Sequence, residues 1–208
     1  MAITNYTNLQ TTIADTLNRD DLTSIIPTFV SLCESTVNRD IRHWRMESRS
    51  NGQQSAGDAY MQVPADWVET LRFNVVGNGT SPIKMTNSTT MADLRAVNND
   101  QYGTPALYTL EAGQFHLYPT PIADTDVELL YYAEVPALAS NATNWLLTAA
   151  PDVYLYGSLM HSAPYLQDDA RLAVWAQLYS SSVVRLNEAS QYAKYSGVSL
   201  VPKVRGLG

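Results

Sequence analysis

His43, His116 and His161 are the side chains best suited to proton transfer or metal binding near neutral pH. They fall on three different predicted elements and lack metal-ligand spacing, so a surface or interfacial role is the expectation for each. A Ser-His-Asp set can be written from Ser158, His161 and Asp152. Asp152 and His161, however, stand nine residues apart on one predicted helix, about 13 Å along its axis, and cannot hydrogen-bond directly. The run Asp124-Thr-Asp126-Val-Glu128 places three carboxylates on one strand face. It lacks the glycine and the further oxygen ligands of a calcium loop, so a solvated edge strand is expected, its like charges deterring edge pairing. Asp20-Asp21 and Asp168-Asp169 fall at predicted helix starts, where capping and the helix dipole account for them. A glycosidase needs two carboxyl groups at a separation that tertiary structure sets, and nothing here selects a pair. No nucleophile elbow, phosphate-binding loop, His-Glu-x-x-His or Cys-x-x-Cys occurs. Neither a metal nor a cofactor is expected. Arg39, Arg42, Arg45 and Arg49 follow the second predicted helix. Arg42, Arg45 and Arg49 would share a face if that helix continued, and a structural or subunit-contact role is expected for the cluster rather than DNA binding.

Composition narrows the classes further. The 208 residues carry 20 Asp+Glu against 13 Lys+Arg, a formal charge of -7. Hydrophobic residues make up 45% and charged residues 16%, against a usual ~25% charged. The chain is too apolar to be disordered and too acidic for generic nucleic-acid binding. One cysteine, Cys33, excludes an intrachain disulfide framework and fits a reducing compartment. No apolar run reaches the ~20 residues of a membrane span, and Met1-Ala-Ile-Thr-Asn-Tyr lacks the basic and apolar regions of a secretory signal. Charge is unevenly placed. Residues 50–188 hold 5 basic and 14 acidic groups, whereas 189–208 hold Lys194, Lys203 and Arg205 with no acid. Thr, Ser, Asn and Tyr fill the place of charge, with 13 Tyr against 3 Phe.

The elements that must position these residues follow from periodicity. Tyr6, Leu9, Ile13 and Leu17 predict a helix over 4–18. A second helix is predicted from about Ser24 to Trp44, with Pro27 in its first turn and the stripe Phe29, Leu32/Cys33, Val37, Ile41, Trp44. Residues 48–138 read as short strands: 59–63, 69–76 and its return 81–86 around Gly77-Asn-Gly79, a hairpin over 106–118, and 127–133. Ser88–Val97 reads as a short helix capped by Ser88. Helical spacing returns from Pro151 to about Ala163, with the stripe Val153, Tyr156, Leu159/Met160, Ala163, and again from Asp168 or Asp169 to about Tyr195, with the stripe Leu172, Trp175, Leu178/Tyr179, Val183, Leu186. The expected fold class is α+β. The helical hairpins 1–47 and 139–196 form a four-helix bundle, the insert 48–138 is a small β-sandwich or barrel, and 197–208 is an extended tail.

A string of motifs runs through this plan. It reads Asp21-Leu22, Ile26-Pro27-x-Phe29, Glu34, Val37-Asn38-Arg39, Ile41-Arg42 and Met46-Glu47. It continues with Val63-Pro64-x-Asp66-Trp67, Gly103-x-Pro105-x-x-Tyr108 and Leu117-x-Pro119-x-Pro121. It closes with Tyr131-Tyr132, Asn144-Trp145-Leu146 and Pro151-Asp152-x-Tyr154-Leu155-Tyr156-Gly157. In order and spacing this resembles the bacteriophage adaptor proteins, the head-to-tail connector or head completion family, over about residues 5–200. Cys33-Glu34-Ser35-Thr36 departs from the pattern, which has Ala-Arg after the Glu.

The resemblance implies a structural virion protein, made in the host cytoplasm, and no catalysis. It implies a homo-oligomeric ring, typically of twelve copies, beneath the portal protein. Its β module faces a tail or nozzle protein, and its ring continues a DNA channel without sequence-specific contact. The C-terminal tail would reach the portal through Val198, Leu200, Val201, Pro202, Lys203, Val204, Arg205 and Leu207. Arg39, Arg42, Arg45, Tyr154 and Tyr156 are candidates for the subunit interface. No membrane contact is expected. The alternatives are a virion-borne cell-wall glycosidase, or a carbohydrate-binding β module with Trp67, Tyr108 or Tyr132 as stacking platforms.

Overall fold

The computed structural model describes residues 2–77, 79–99, 101–166 and 170–196. The chain is α+β and divides into two compact units, Met1–Arg45 with Val135–Gly208, and Met46–Glu134.

In the first unit, α1 (Tyr6–Leu17) starts where Asn5 Oδ1 accepts the Asn8 N–H at 2.9 Å and buries Leu9, Ile13 and Leu17. It ends at Asn18, whose φ of 52° is a left-handed stop. α2 (Ile26–Asp40) carries Pro27 in its first turn and buries Ile26, Phe29, Val30, Cys33 and Val37. It stops at Asp40 rather than running on to Trp44. Ile41 is extended, and the Arg42 guanidinium folds back onto the carbonyls of Asn38 at 3.0 Å and Ile41 at 2.7 Å, satisfying oxygens that a further helical turn would have used. The predicted stripe is corrected in part: Leu32 and Trp44 are exposed, at 45% and 44%. Asp21 does not cap α2. Its carboxylate is held by Arg19 at 2.6 Å, and Ile25 stands at the N-cap without a side-chain bond.

α3 (Ser88–Val97) belongs to the second unit. Back in the first, α4 (Trp145–Ala149) is a short helix that the sequence pattern did not suggest, capped by Asn144 Oδ1 on the Leu147 N–H at 2.8 Å. α5 (Pro151–His161) packs against α1, α2, α4 and α6. It buries Val153, Tyr154, Gly157, Ser158 and Leu159. A helix packed on several sides has no single apolar stripe, so Tyr156, placed in one by periodicity, is only half-buried while Tyr154 is enclosed. α6 (Arg171–Tyr195) buries Trp175, Tyr179, Val183 and Ser190. Asp168 and Asp169, expected to cap it, lie outside the described residues.

In the second unit, β1 (Glu47–Gln54), β10 (Thr125–Ala133), β3 (Trp67–Val76) and β4 (Thr80–Pro82) form one antiparallel sheet in that order. β2 (Tyr60–Gln62), β8 (Gln114–Tyr118), β7 (Leu107–Glu111) and β5 (Lys84–Met85) form a second, with β5 parallel to β7. β6 (Tyr102–Gly103) and β9 (Thr120–Pro121) make a two-stranded parallel pair. Phe73, Val75, Val127, Leu129 and Tyr131 of the first sheet meet Tyr108, Phe115 and Leu117 of the second in one core.

Strands β1, β6 and β9 are not among those the sequence predicts, and two further details differ. The return strand after Gly77 splits: residues 80–82 close the hairpin with β3, and residues 84–85 cross to the other sheet. The cap of α3 is Asn87, whose Oδ1 accepts the Thr90 N–H at 2.7 Å, in place of Ser88. The β7–β8 hairpin turns on Ala112 and Gly113, with φ of 49° and 76°.

Candidate interaction surface

Each of the three histidines has a packing or hydrogen-bond partner inside its own unit. His43 is buried, stacked on Trp145 with centroids 5.0 Å apart, and its Nδ1 accepts the Arg45 N–H at 3.1 Å. Burial depresses its pKa, with the charges of Arg45 and Lys194 acting in the same direction. His161 meets Thr36 Oγ1 at 3.1 Å, and its pKa is also lowered, by burial and then by Arg39. His116 lies in the β-rich unit between Glu111, whose Oε2 is 2.9 Å from Nδ1, and the Arg95 guanidinium, under the stacked ring of Tyr60. Among the described residues no group of three or more His, Cys, Asp or Glu is gathered as metal ligands would be.

The Ser-His-Asp set does not assemble. Asp152 accepts from Ser182 Oγ at 2.5 Å, and Ser158 is fully buried with its Oγ lacking an oxygen or nitrogen partner. The neighbouring Cys33 thiol is pushed up to about 12 by burial, with the Ser158 hydroxyl opposing, so it stays protonated and unreactive.

The carboxylate run is corrected too. β10 is a central strand, not an edge. Glu128 bridges two flanking strands, 3.5 Å from Arg49 on β1 and 3.1 Å from Arg72 on β3. Asp126 accepts from Gln53 at 3.0 Å, and Asp124 accepts the Ala56 N–H at 2.9 Å. The charges are matched across strands, which the one-dimensional pattern could not reveal. Burial raises the pKa of Glu34, as a glycosidase acid would require, but its Oε1 accepts the Leu138 N–H at 2.7 Å. Tyr108 and Tyr132 are buried, and Trp67 is half-buried with its ring edge-on to Phe115. None of the three offers a flat exposed platform for a sugar.

Several motif residues share a pattern of hydrogen bonds. Glu34 and Asn38, one turn apart on α2, accept the N–H groups of Leu138 and Val135. Asn144 caps α4 through its oxygen, while its amide donates to the Pro136 carbonyl and the Tyr154 hydroxyl at 2.8 and 2.7 Å. Asp66 accepts from the Tyr131 hydroxyl at 2.9 Å. These residues hold irregular segments in place, where an unpaired buried N–H would cost about 1–3 kcal/mol. Tyr154, a candidate for the subunit interface, is one of them. Its ring is 0% exposed, so it acts inside the subunit.

Both units leave large apolar side chains exposed, Met85, Val97, Tyr102 and Ile122 among them in the β-rich unit, and the helical unit groups its own around α2 and α6. The turn after α2 is held to α6 by a ladder of bonds. Asn187 Oδ1 accepts the Arg42 N–H at 3.0 Å, and Ser190 Oγ accepts the Trp44 N–H at 2.9 Å. Tyr179 donates to Asp40 Oδ2 at 3.1 Å. This ladder presents Trp44 with Arg45 over its face, 5.3 Å from the ring centroid. Arg39, one turn back, donates to Thr36 Oγ1 at 3.3 Å. The opposite side of α6 exposes Val174, Leu178, Val184, Tyr192 and Tyr195. Periodicity left Leu178 and Tyr179 sharing one core position, and it is Tyr179 that takes it. Val198, Leu200, Val201, Pro202, Lys203, Val204, Arg205 and Leu207 lie outside the described residues. Among the described residues no helix is long and apolar enough to cross a membrane.

The helical unit thus carries exposed apolar helix positions and side chains that clasp its irregular segments. No curated protein matches the chain. The sequence profile described as SU10 adaptor protein matches residues 4–202, nearly the whole length, and the chain belongs to this family of phage adaptor proteins.

Proposed function

We propose that the chain is a structural subunit of the head-to-tail connector of a tailed phage. About twelve copies form a ring beneath the portal, the β-rich unit meets a tail or nozzle protein, and residues 197–208 dock on the portal. The family match over residues 4–202 carries this reading. The helical unit is taken as a four-helix bundle of α1, α2, α5 and α6, and the two sheets with their shared core as a β-sandwich. Arg39, Arg42, Arg45 and Tyr156 are assigned to the subunit contact, together with the exposed face of α6. The charge pattern supports the tail assignment: three basic groups and no acid in 189–208, beside an acidic body. An acidic body would also let duplex DNA pass without holding its phosphates.

Negative-stain imaging of the purified chain, alone and mixed with its portal protein, tests the reading. Portal particles are expected to gain a ring of the portal's symmetry. A chain that remains monomeric and leaves the portal unchanged would defeat it. Deleting residues 197–208 is expected to leave a folded protein that no longer docks, and unchanged portal affinity would remove the tail from the assignment. A zymogram showing cleared cell wall would favour a glycosidase instead.

A further inference from the structure

The side of α6 turned away from its core positions is a continuous seam. Val174, Leu178, Arg185, Glu188, Tyr192 and Tyr195 recur at multiples of three and four residues, all exposed, with Tyr192 at 77% and Tyr195 at 67%. They lie opposite the buried Trp175, Tyr179, Val183 and Ser190. From Val174 to Tyr195 the seam runs about 32 Å. The same spacing lets one helix seat on another, with apolar pairs at its two ends, Val174 with Leu178 and Tyr192 with Tyr195, flanking the charged Arg185 and Glu188.

We infer that this seam packs on the outward face of α2 in a second copy of the chain, with Glu188 of one copy paired to Arg39 of the next. The inference rests on the ring reading above, and it names the two faces that meet. A closed ring larger than a dimer joins two different patches of the subunit, so the α6 seam must meet a surface other than itself. Thr28, Leu32, Ser35 and Arg39 share one exposed face of α2, at steps of four, three and four. Its apolar projection is Leu32. Two of the hydroxyls on or beside this face, Ser35 and Thr36, are already committed inside the helix. Ser35 Oγ donates to the Ser31 carbonyl at 3.1 Å, and Thr36 Oγ1, at the margin of the face, to the Leu32 carbonyl at 3.0 Å. Covering this face therefore strands few polar groups.

Charge complementarity selects the occupant. Arg39 has only a hydroxyl partner, and among the described residues no carboxylate pairs with it and no cation pairs with Glu188. Two copies that each carry a charge of -7 repel in general, so a contact between them needs opposite charges placed locally.

The test is a charge swap in the full chain, with portal protein present and assembly read by sedimentation. Glu188→Arg is a surface change expected to keep the wild-type melting temperature, and Arg39→Glu, in the last turn of α2, is expected to lower it by only a few degrees and to stay folded. Each alone puts like charges at every contact and should weaken assembly by at least about tenfold. An equimolar mixture of the two should recover it, because alternating copies set opposite charges at every contact. Assembly of either variant at wild-type strength, or no recovery on mixing, overturns the pairing while leaving the ring intact. A wild-type chain that never assembles overturns the ring reading itself. Leu178→Ser, which adds no charge, should weaken assembly without loss of folding; unchanged assembly removes the α6 seam.

Discussion

Gly157 of α5 lies so close to Cys33 of α2 that a Cβ built on the glycine would overlap the thiol sulfur. The same Cβ would come 3.1 Å from the Tyr179 ring on α6. Three helices converge on a position with no side chain, and the close approach is what requires glycine there. Gly157→Ala should therefore destabilise the helical unit by about 1–3 kcal/mol, despite the better helix propensity of alanine. Denaturant unfolding measures this, and Cys33→Ala in the same chain should recover part of the loss by vacating the sulfur's space.

The buried thiol gives a second expectation. With its pKa pushed up to about 12, Cys33 should resist alkylation in the folded protein at pH 8 and react on unfolding. Mass spectrometry after a short iodoacetamide pulse, with and without denaturant, checks it. Full labelling of the folded chain would contradict the enclosure of Cys33.

Ala112 occupies a left-handed conformation in the β7–β8 turn, where a Cβ costs roughly 1–2 kcal/mol. Ala112→Gly or Ala112→Asn should raise stability, by about 1 kcal/mol for the better of the two. A higher melting temperature of the chain is the readout.

Arg42 satisfies carbonyls at the end of α2 and, through its N–H, anchors to Asn187 of α6. Arg42→Ala keeps the N–H but removes the guanidinium, and should cost about 1–2 kcal/mol. Asn187→Ala should cost a similar amount by freeing the Arg42 N–H and the Asp40 carbonyl. Because both act on one turn, the double variant should lose less than the sum, a coupling that a double-mutant cycle reads.

His43 and His161 set a pH dependence. Burial lowers both folded-state values below the ordinary value of about 6.5, so the unfolded chain takes up these protons first. Their contribution to stability is complete above pH 6.5 and declines as pH falls toward the depressed folded values. His43→Gln should flatten that decline, measured as the slope of unfolding free energy against pH between about 7 and 5. An unchanged slope would show that His43 is not buried in its neutral form.

Much of the helical plan could be read from the residues alone. Leu9, Ile13 and Leu17 mark α1, Pro27 marks the start of α2, and Pro151 marks α5, because these signals are local. The motif order over nearly the whole chain pointed to the adaptor family, which the profile match shows. Local pattern also placed most strands, since alternation and turn residues act within a few positions. It did not reveal which side of a helix faces the core when several neighbours compete, as at Tyr154 against Tyr156 or Tyr179 against Leu178. Nor did it reveal that Glu128 sits on a central strand between two arginines, or that α2 stops where Arg42 folds back. Those outcomes depend on groups far apart in the chain, brought within hydrogen-bonding or packing range only when the elements assemble. Residue types and their spacing limit what each segment can become; the partners each side chain finds across the fold determine which ones are enclosed and which are left to meet another molecule.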